Sequence, residues 1–164
     1  VFTETHYIPP ELFISISIYM SYKGIYKPKN KKKYIGKTSK VIYRSLWERK
    51  FMKYCDQTPN ILKWASEPLF IPYLCPTDSK WHKYYPDFYM KLKTKNGIIK
   101  EYIIEIKPLK QTKAPKRKKQ TKNYIYESLT WQKNQAKWKY AEELCNKNKW
   151  EFKILTEREL LPHK

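Results

Sequence analysis

Residues 84–107 read YYPDFYMKLKTKNGIIKEYIIEIK, and this stretch decides the fold. Two runs rich in aromatic and β-branched residues flank Asn96-Gly97, a pattern that predicts a β-hairpin. Charged residues stand at the strand ends farthest from the turn: Asp87 on one strand, Glu105 and Lys107 on the other. Glu105 interrupts an apolar strand, where a buried carboxylate is costly unless it is paired or bound to a metal.

The length of the turn decides whether these charges meet. A two-residue loop would pair Asp87 with Ile106 and send Glu105 to the other face. A three-residue loop, with Gly97 in the left-handed position of a bulge, puts the charges on one face because directly opposed residues share a face. We predict the three-residue loop, since only this loop makes one site from all of them. The predicted pairs are Thr94 with Ile98, Asp87 with Glu105, and Tyr85 with Lys107.

The chain carries a large excess of positive charge. Of its 164 residues, 35 are Lys or Arg and 15 are Asp or Glu, which gives a formal net charge of +20. This excess favours a polyanionic partner, most often nucleic acid, over the alternative of a lysine-rich protein of the ribosomal type. The 41% hydrophobic content still predicts one folded domain with a real core.

The cysteines and histidines predict no structural zinc site. The cysteines are odd in number and far apart, at Cys55, Cys75 and Cys145. No Cys-x-x-Cys occurs, and His6, His82 and His163 form no spaced cluster with them. Reduced thiols of a cytosolic protein are the simplest interpretation. No apolar run reaches the roughly 18 residues of a membrane span, so no membrane partner is predicted.

The first forty residues form two segments that differ in charge. Residues 1–19 contain no Lys or Arg, and the sequence from Met20 resembles a start of translation. We therefore expect residues 1–19 to be an extension outside the core; the alternative is a genuine N-terminal strand. For residues 20–40 we predict an extended basic arm. This arm either contacts the phosphates of a nucleic acid or is a solvated, disordered leader.

Helical periodicity follows the arm. We predict a helix from Val41 to Asp56, capped by Ser39. Glu48 would lie at the edge of its buried face, where it could point into a site, although a lone helix glutamate is more often a surface residue. The residues predicted to face the core are Tyr43, Leu46, Trp47, Phe51 and Tyr54.

The later elements alternate between strands and helices. They are a short helical turn or strand at Ile61–Trp64, a strand at Leu69–Tyr73, the hairpin at 81–107, a helix at Tyr126–Asn148 and a strand at Trp150–Leu155. This order predicts the α/β class, an α/β sandwich with a mixed central sheet flanked by helices. The domain would span 41–157, with 158–164 as a C-terminal tail.

A second basic segment, residues 108–123, contains no acidic residue. Like charges this dense repel, so we expect a loop that is mobile when free. Because it leaves directly from Lys107, we favour a clamp on a phosphate backbone over a solvated loop. Gln135 and Lys139 share a helix face that either approaches the phosphates or is simply solvated. The residues proposed to contact DNA are Arg44, Lys110, Lys113, Lys116, Arg117, Lys118, Lys119, Lys122, Gln135 and Lys139.

The combination of Glu48 on a helix, Pro86-Asp87, and Glu105-x-Lys107 on the facing strand resembles the PD-(D/E)XK nuclease core. Its residue types suit phosphodiester hydrolysis. Mg²⁺ prefers carboxylate and carbonyl oxygens and binds substrate phosphate, and it lowers the pKa of a bound water. A nearby ammonium can stabilise charge that develops in the transition state.

Further motifs, in the same order along Met20–Thr156, resemble the head-completion nuclease family of tailed myophages. They are YRSLWE at 43–48, WASE at 64–67, IPY at 71–73, YPDF at 85–88, IEIKP at 104–108 and AKWKYA at 136–141. The core is also similar to the end-cleaving endonuclease subunit of certain transposons.

The resemblance implies a restriction-endonuclease-like fold and a role for each site residue. Glu48, Asp87, Glu105 and the Ile106 carbonyl would bind Mg²⁺, for which Mn²⁺ could substitute, and Lys107 would be the catalytic lysine. The partners would be DNA and phage head or portal proteins. The protein would act in the host cytoplasm during assembly or in the virion, and it would be a monomer or a dimer. The rival functions are a non-catalytic DNA-binding head plug or connector, and an endonuclease for transposon ends or junctions.

Overall fold

The computed structural model describes residues 22–116 and 119–161, so the predicted extension at 1–19 lies outside the described residues. Single helical turns of 3₁₀ type occur at Lys31–Lys33, Thr38–Lys40 and Leu109–Thr112. The remaining elements are β1 (Gly24–Tyr26), β2 (Val41–Tyr43), α1 (Leu46–Gln57), β3 (Ile61–Ser66), β4 (Ile71–Leu74), β5 (Trp81–Tyr84), β6 (Phe88–Lys93), β7 (Ile99–Ile106), α2 (Lys122–Asn148), β8 (Glu151–Leu155) and α3 (Glu157–Leu160). No helix among the described residues is long and apolar enough to cross a membrane.

A four-stranded sheet in the order β3-β6-β7-β8 forms the centre of the fold. The pairs β3–β6 and β6–β7 are antiparallel, whereas β8 runs parallel to β7 after the crossover through α2. The two hydrophobic clusters lie on opposite faces of this sheet. One includes Trp47 of α1 with Phe88 and Ile104, and the other includes Trp138 of α2 with Tyr84. The predicted mixed α/β sandwich is confirmed.

The central hairpin has the predicted three-residue loop. The Thr94 N–H donates to the Ile98 carbonyl at 2.8 Å, and Gly97 has a φ of +80°, in the left-handed region that favours glycine. The register pairs Phe88 with Ile104. The next step of this register places Asp87 opposite Glu105. Both side chains lie on the same face of the sheet, opposite to the face of Phe88 and Ile104.

The prediction of a helix from Val41 capped by Ser39 is wrong. Val41–Tyr43 forms β2, which pairs with β1, because alternate side chains are buried as in a strand. The helix begins at Leu46, and its cap is Ser45, whose Oγ accepts from the Glu48 N–H at 3.1 Å.

The buried face of α1 also differs from the predicted one. Trp47 and Phe51 are buried as predicted, but Tyr54 is 49% exposed. Met52 and Cys55, which are not among the residues predicted to face the core, are fully buried. The buried stripe is therefore centred on Phe51 and Met52.

The basic arm is more ordered than predicted, because a buried carboxylate holds it against the domain. Asp56, at the end of α1, accepts hydrogen bonds from the Tyr26 hydroxyl at 3.0 Å, the Lys29 N–H at 2.8 Å and the Asn30 N–H at 2.9 Å. Tyr34 then forms a bridge with Trp64 of β3. This segment is part of the fold.

The predicted hairpin is shorter than expected at its N-terminal end. Trp81–Tyr84 forms β5, which pairs with β4 in a separate two-stranded sheet rather than with β7. Helix α2 begins at Lys122, four residues earlier than predicted, and the Thr121 side chain caps it by accepting from the Tyr124 N–H.

Candidate active site

The predicted carboxylates and lysine of the hairpin meet where β6 begins and β7 ends. Glu105 is 3% exposed, and its two oxygens contact the Tyr84 hydroxyl at 2.7 Å and the Lys107 Nζ at 2.9 Å. Asp87 is half-buried, and its Oδ2 accepts from the Ile106 N–H at 2.6 Å. The three-residue turn therefore brings Asp87, Glu105 and Lys107 into one site.

Glu48 joins this site from the first turn of α1. The Ser45 Oγ donates to Glu48 Oε1 at 3.0 Å, and the Arg44 N–H donates to Oε2 at 2.8 Å. The charges of these residues act on one another: Glu48 adds to the burial and the Glu105 charge that raise the pKa of Asp87, and the Lys107 ammonium partly offsets the burial that raises the pKa of Glu48. The structure thus gathers the four residues predicted to be catalytic.

Carboxyl groups outnumber the ammonium group of Lys107 in this site. Burial raises the pKa of Asp87 well above its usual range, and the neighbouring charge of Glu105 raises it further. Burial also raises the pKa of Glu48. Burial lowers the pKa of Lys107, but Glu105 and Asp87 outweigh this effect and raise it overall, so Lys107 is an ammonium ion at neutral pH. A divalent cation would favour the ionised form of these carboxyl groups and offset their mutual repulsion.

The donor set suits a hard cation, although the ligand atoms are not gathered around one point. Carboxylate oxygens and a backbone carbonyl are the ligands that Mg²⁺ prefers. Glu48, Asp87 and Glu105 do not, however, lie within 4.8 Å of one another as a group. Each is held by its own protein donors. Metal binding would require side chains to exchange these bonds for bonds to the ion.

Sequence reasoning missed two residues of this site. Tyr84 fixes Glu105 through its hydroxyl, and burial followed by the Glu105 charge raises the pKa of Tyr84. Lys137 of α2 is half-buried, with its Nζ 5.8 Å from the ring centroid of Tyr84. Burial lowers the pKa of Lys137, and the charge of Lys107 lowers it further. The helical spacing of Lys137 from buried Asn134 and Ala141 could have identified it.

The residues proposed to contact DNA lie around the site in different settings. Arg44 is exposed, and its guanidinium pairs with Glu67 at 2.7 Å. The Glu67 N–H in turn donates to the Asp87 carbonyl at 2.9 Å. Lys110 is exposed and pairs with Glu127 at 2.8 Å. The exposed set also includes Lys113, Lys116, Lys119, Lys122, Gln135 and Lys139, whereas Arg117 and Lys118 lie outside the described residues.

Two clefts adjoin these residues. The smaller, of about 310 Å³, is lined in part by Gln135 and Lys139. The larger, of about 560 Å³, combines basic and aromatic side chains beside Glu67; they are Tyr34, Lys37, Lys40, Tyr89 and Trp150. The DNA contacts proposed from sequence remain predictions.

Known proteins show the family of the chain. The family model for the TnsA-like endonuclease N terminal matches residues 58–157, a range that contains Asp87, Glu105 and Lys107 but begins after Glu48. The chain is 41% identical over 146 residues to the protein named head completion nuclease of Enterobacteria phage T4, and the match covers 84% of this chain and 93% of that relative. The resemblance predicted from the motifs is confirmed: this chain belongs to the TnsA-like endonuclease family and is a relative of a phage head completion nuclease.

Proposed function

We propose that this chain is a metal-dependent DNA endonuclease that hydrolyses phosphodiester bonds and acts in phage head completion during virion assembly. One observation carries the proposal. In a chain of an endonuclease family, the end of one hairpin gathers Asp87, Glu105 and Lys107, and the burial and clustering of the carboxyl groups raise the pKa of Asp87. The role in head completion rests on the relative of that name.

Mg²⁺ is the proposed cofactor, with Mn²⁺ as a substitute, because the proposed ligands are all oxygen atoms. The ligands would be Glu48, Asp87, Glu105 and the Ile106 carbonyl. When bound, the ion would polarise the scissile phosphoryl group and lower the pKa of a coordinated water.

The protein groups around these ligands would position them and balance charge. Tyr84 holds Glu105 through a 2.7 Å hydrogen bond, and Ser45 with the Arg44 N–H holds Glu48. The Lys107 ammonium, 2.9 Å from Glu105, would orient the attacking water and stabilise charge on the phosphoryl oxygens. Lys137 would add a second positive charge to the same region.

DNA is the proposed substrate, bound mainly through its backbone. The formal net charge of +20 supplies the electrostatic attraction. The strand would approach past the exposed lysines of 108–123 on one side and the cleft with Lys37 and Lys40 on the other. Head or portal proteins in the host cytoplasm are the proposed partners during assembly.

Plasmid cleavage tests this proposal. The wild-type chain is compared with Asp87→Asn and Lys107→Met in Mg²⁺, Mn²⁺ and Ca²⁺, and Lys93→Met at the far end of β6 is the matched control. We expect nicking or linearisation in Mg²⁺ and Mn²⁺ by the wild type and by Lys93→Met, and none by the two site variants. Tight DNA binding without cleavage in any metal would instead support a structural head plug. Cleavage that survives in both site variants would contradict the site.

A further inference from the structure

A second group of metal-ligating side chains lies at the turn between β4 and β5. The Cys75 Sγ, an Asp78 carboxylate oxygen and a His82 ring nitrogen all lie within 4.8 Å of one another. Among the residues that the structure describes, no other three His, Cys, Asp or Glu side chains meet this criterion. The expectation that no histidine clusters with a cysteine is therefore wrong, because the turn folds His82 back towards Cys75.

The backbone of the turn fixes this arrangement. The Cys75 N–H donates to the Lys80 carbonyl at 2.8 Å, and the Ser79 N–H donates to the Cys75 carbonyl at 2.9 Å. The Asp78 Oδ1 accepts from the Lys80 N–H at 3.1 Å. Cys75 thus directly follows β4 and His82 lies on β5, the strand paired with β4, with Asp78 in the turn between them.

Three ligand atoms that lie within 4.8 Å of one another can converge on one tetrahedral ion after small shifts. Zinc bound to sulfur, nitrogen and oxygen at its usual bond lengths holds its ligand atoms about 3.3–3.6 Å apart. His82 Nε2 is 2.8 Å from Asp78 Oδ2, so an ion would have to separate these two atoms slightly and draw the thiol towards them. Asp78 and His82 are exposed, which leaves their side chains room to move and leaves a fourth ligand position open to water.

The ligand types distinguish this group from the carboxylate site. Thiolate and imidazole select zinc-class transition metals, whereas carboxylates and carbonyls suit Mg²⁺. We propose that Cys75, Asp78 and His82 form a binding site for a zinc-class divalent ion, separate from the nuclease site. The ion would cross-link the turn of the β4–β5 hairpin.

A metal cross-link at this turn would stabilise the β4–β5 hairpin, which supplies Tyr84 to the active site. The β4–β5 pair forms its own two-stranded sheet, and two-stranded hairpins have little stability of their own. Its far end carries Tyr84, whose hydroxyl holds Glu105. Cys75 and Tyr84 belong to the same buried cluster against α2, so a pinned turn would steady the strand that supplies Tyr84.

Cobalt(II) is a suitable spectroscopic probe, since it occupies zinc sites and reports on thiolate ligands. The titration uses the full chain carrying Asp87→Asn and Glu105→Gln, which removes the carboxylate site as a competitor. We expect one equivalent to bind, with a sulfur-to-cobalt charge-transfer band and the visible bands of tetrahedral cobalt, and Zn²⁺ should displace both. Adding Cys75→Ser should abolish the charge-transfer band, and adding His82→Gln should weaken binding at least tenfold.

Cys145→Ser is the matched control, because Cys145 is a buried thiol outside the group. It should retain the full spectrum. Zn²⁺ should also raise the melting temperature of the parent chain but not that of the His82→Gln chain, whose change is at the surface. Absence of the charge-transfer band in the parent chain, or its persistence after Cys75→Ser, would overturn the proposal. Plasmid cleavage by the wild-type chain tests the nuclease separately.

Discussion

Two regions of this molecule bury carboxylates, and their surroundings differ. Asp56 is fully buried and accepts from the Tyr26 hydroxyl and the N–H groups of Lys29 and Asn30, so protein donors satisfy a single charge. At the hairpin, the carboxyl groups of Asp87, Glu105 and Glu48 lie together and outnumber the Lys107 ammonium. A satisfied lone carboxylate indicates a structural role. A surplus of carboxylate charge indicates a cation site.

The largest expected difference between the two regions is in catalysis. Glu105→Gln should reduce plasmid cleavage by about 10³-fold or more, since it removes a charged ligand worth several kcal/mol in the transition state. Asp56→Asn should change cleavage by less than about tenfold at a temperature where it remains folded, because Asp56 touches no reacting group. Equal losses of activity in Glu105→Gln and Asp56→Asn would contradict the distinction between a cation site and a structural carboxylate. Initial rates in Mg²⁺ provide the comparison.

The free energy of unfolding should show the opposite order, because the larger loss is expected at Asp56. Asp56→Ala leaves buried donors without their acceptor, and we expect it to cost about 3 kcal/mol of unfolding free energy, or roughly 6–12 °C in melting temperature. Glu143→Ala, at an exposed position of α2, is the control and should change stability by less than about 0.5 kcal/mol. Urea unfolding gives both values. An Asp56→Ala chain as stable as the control would show that the arm does not depend on this carboxylate.

Asp87→Asn should stabilise the metal-free protein. Burial and Glu105 raise the folded pKa of Asp87 above its unfolded value, so its stabilising contribution is present at low pH and is lost as pH rises through the folded pKa. An amide carries no charge and can still accept from the Ile106 N–H. Relief of roughly 1 kcal/mol at pH 7 would raise the melting temperature in EDTA by about 2–4 °C.

The stability gained by Asp87→Asn should also depend on metal and on pH. The gain from Asp87→Asn should disappear near pH 3, where the carboxyl is protonated in both states, and Mg²⁺ should stabilise the wild type more than the variant. Thermal melts across pH, with and without Mg²⁺, measure this. A destabilised Asp87→Asn chain in EDTA at pH 7 would mean that Asp87, like Asp56, is a structural carboxylate.

The smallest expected effect concerns DNA binding by the segment that Asp56 holds in place. If Lys37 and Lys40 each contact a phosphate, replacing both with Gln should reduce the slope of log affinity against log salt by about 1.8. Replacing exposed Lys93 and Lys95, at the far end of the hairpin, should leave the slope unchanged. Binding is measured in Ca²⁺ to limit cleavage. Equal changes in both pairs would indicate that DNA binding follows total charge alone.

The sequence predicted the hairpin register because three local signals agree there: the Asn-Gly turn, the strand periodicity and the charges at the strand ends. The sequence also contains the signal for the observed start of α1. Ser45 is followed three residues later by Glu48, the pattern of an N-terminal cap, whereas Ser39 lacks this partner.

Long-range contacts were not predictable in the same way. Asp56 meets Lys29 and Asn30 across 27 and 26 residues, and no local pattern links these positions. The meeting of Cys75 with His82 depends on the geometry of the turn between them. Lys137 escapes the sequence prediction because Gln135 and Lys139 are singled out there by their shared helix face, without the buried stripe of α2 as a reference.

The most direct measurement maps where a divalent ion binds along the chain. Iron(II) replaces Mg²⁺ in the His82→Gln chain, and ascorbate with peroxide then cleaves the backbone close to the bound ion. We predict cuts near Asp87 and between Glu105 and Lys107, which excess Mg²⁺ suppresses and which Asp87→Asn removes. Cuts spread evenly along the chain, or cuts near Asp87 that persist after Asp87→Asn, would contradict a metal site formed by the hairpin carboxylates.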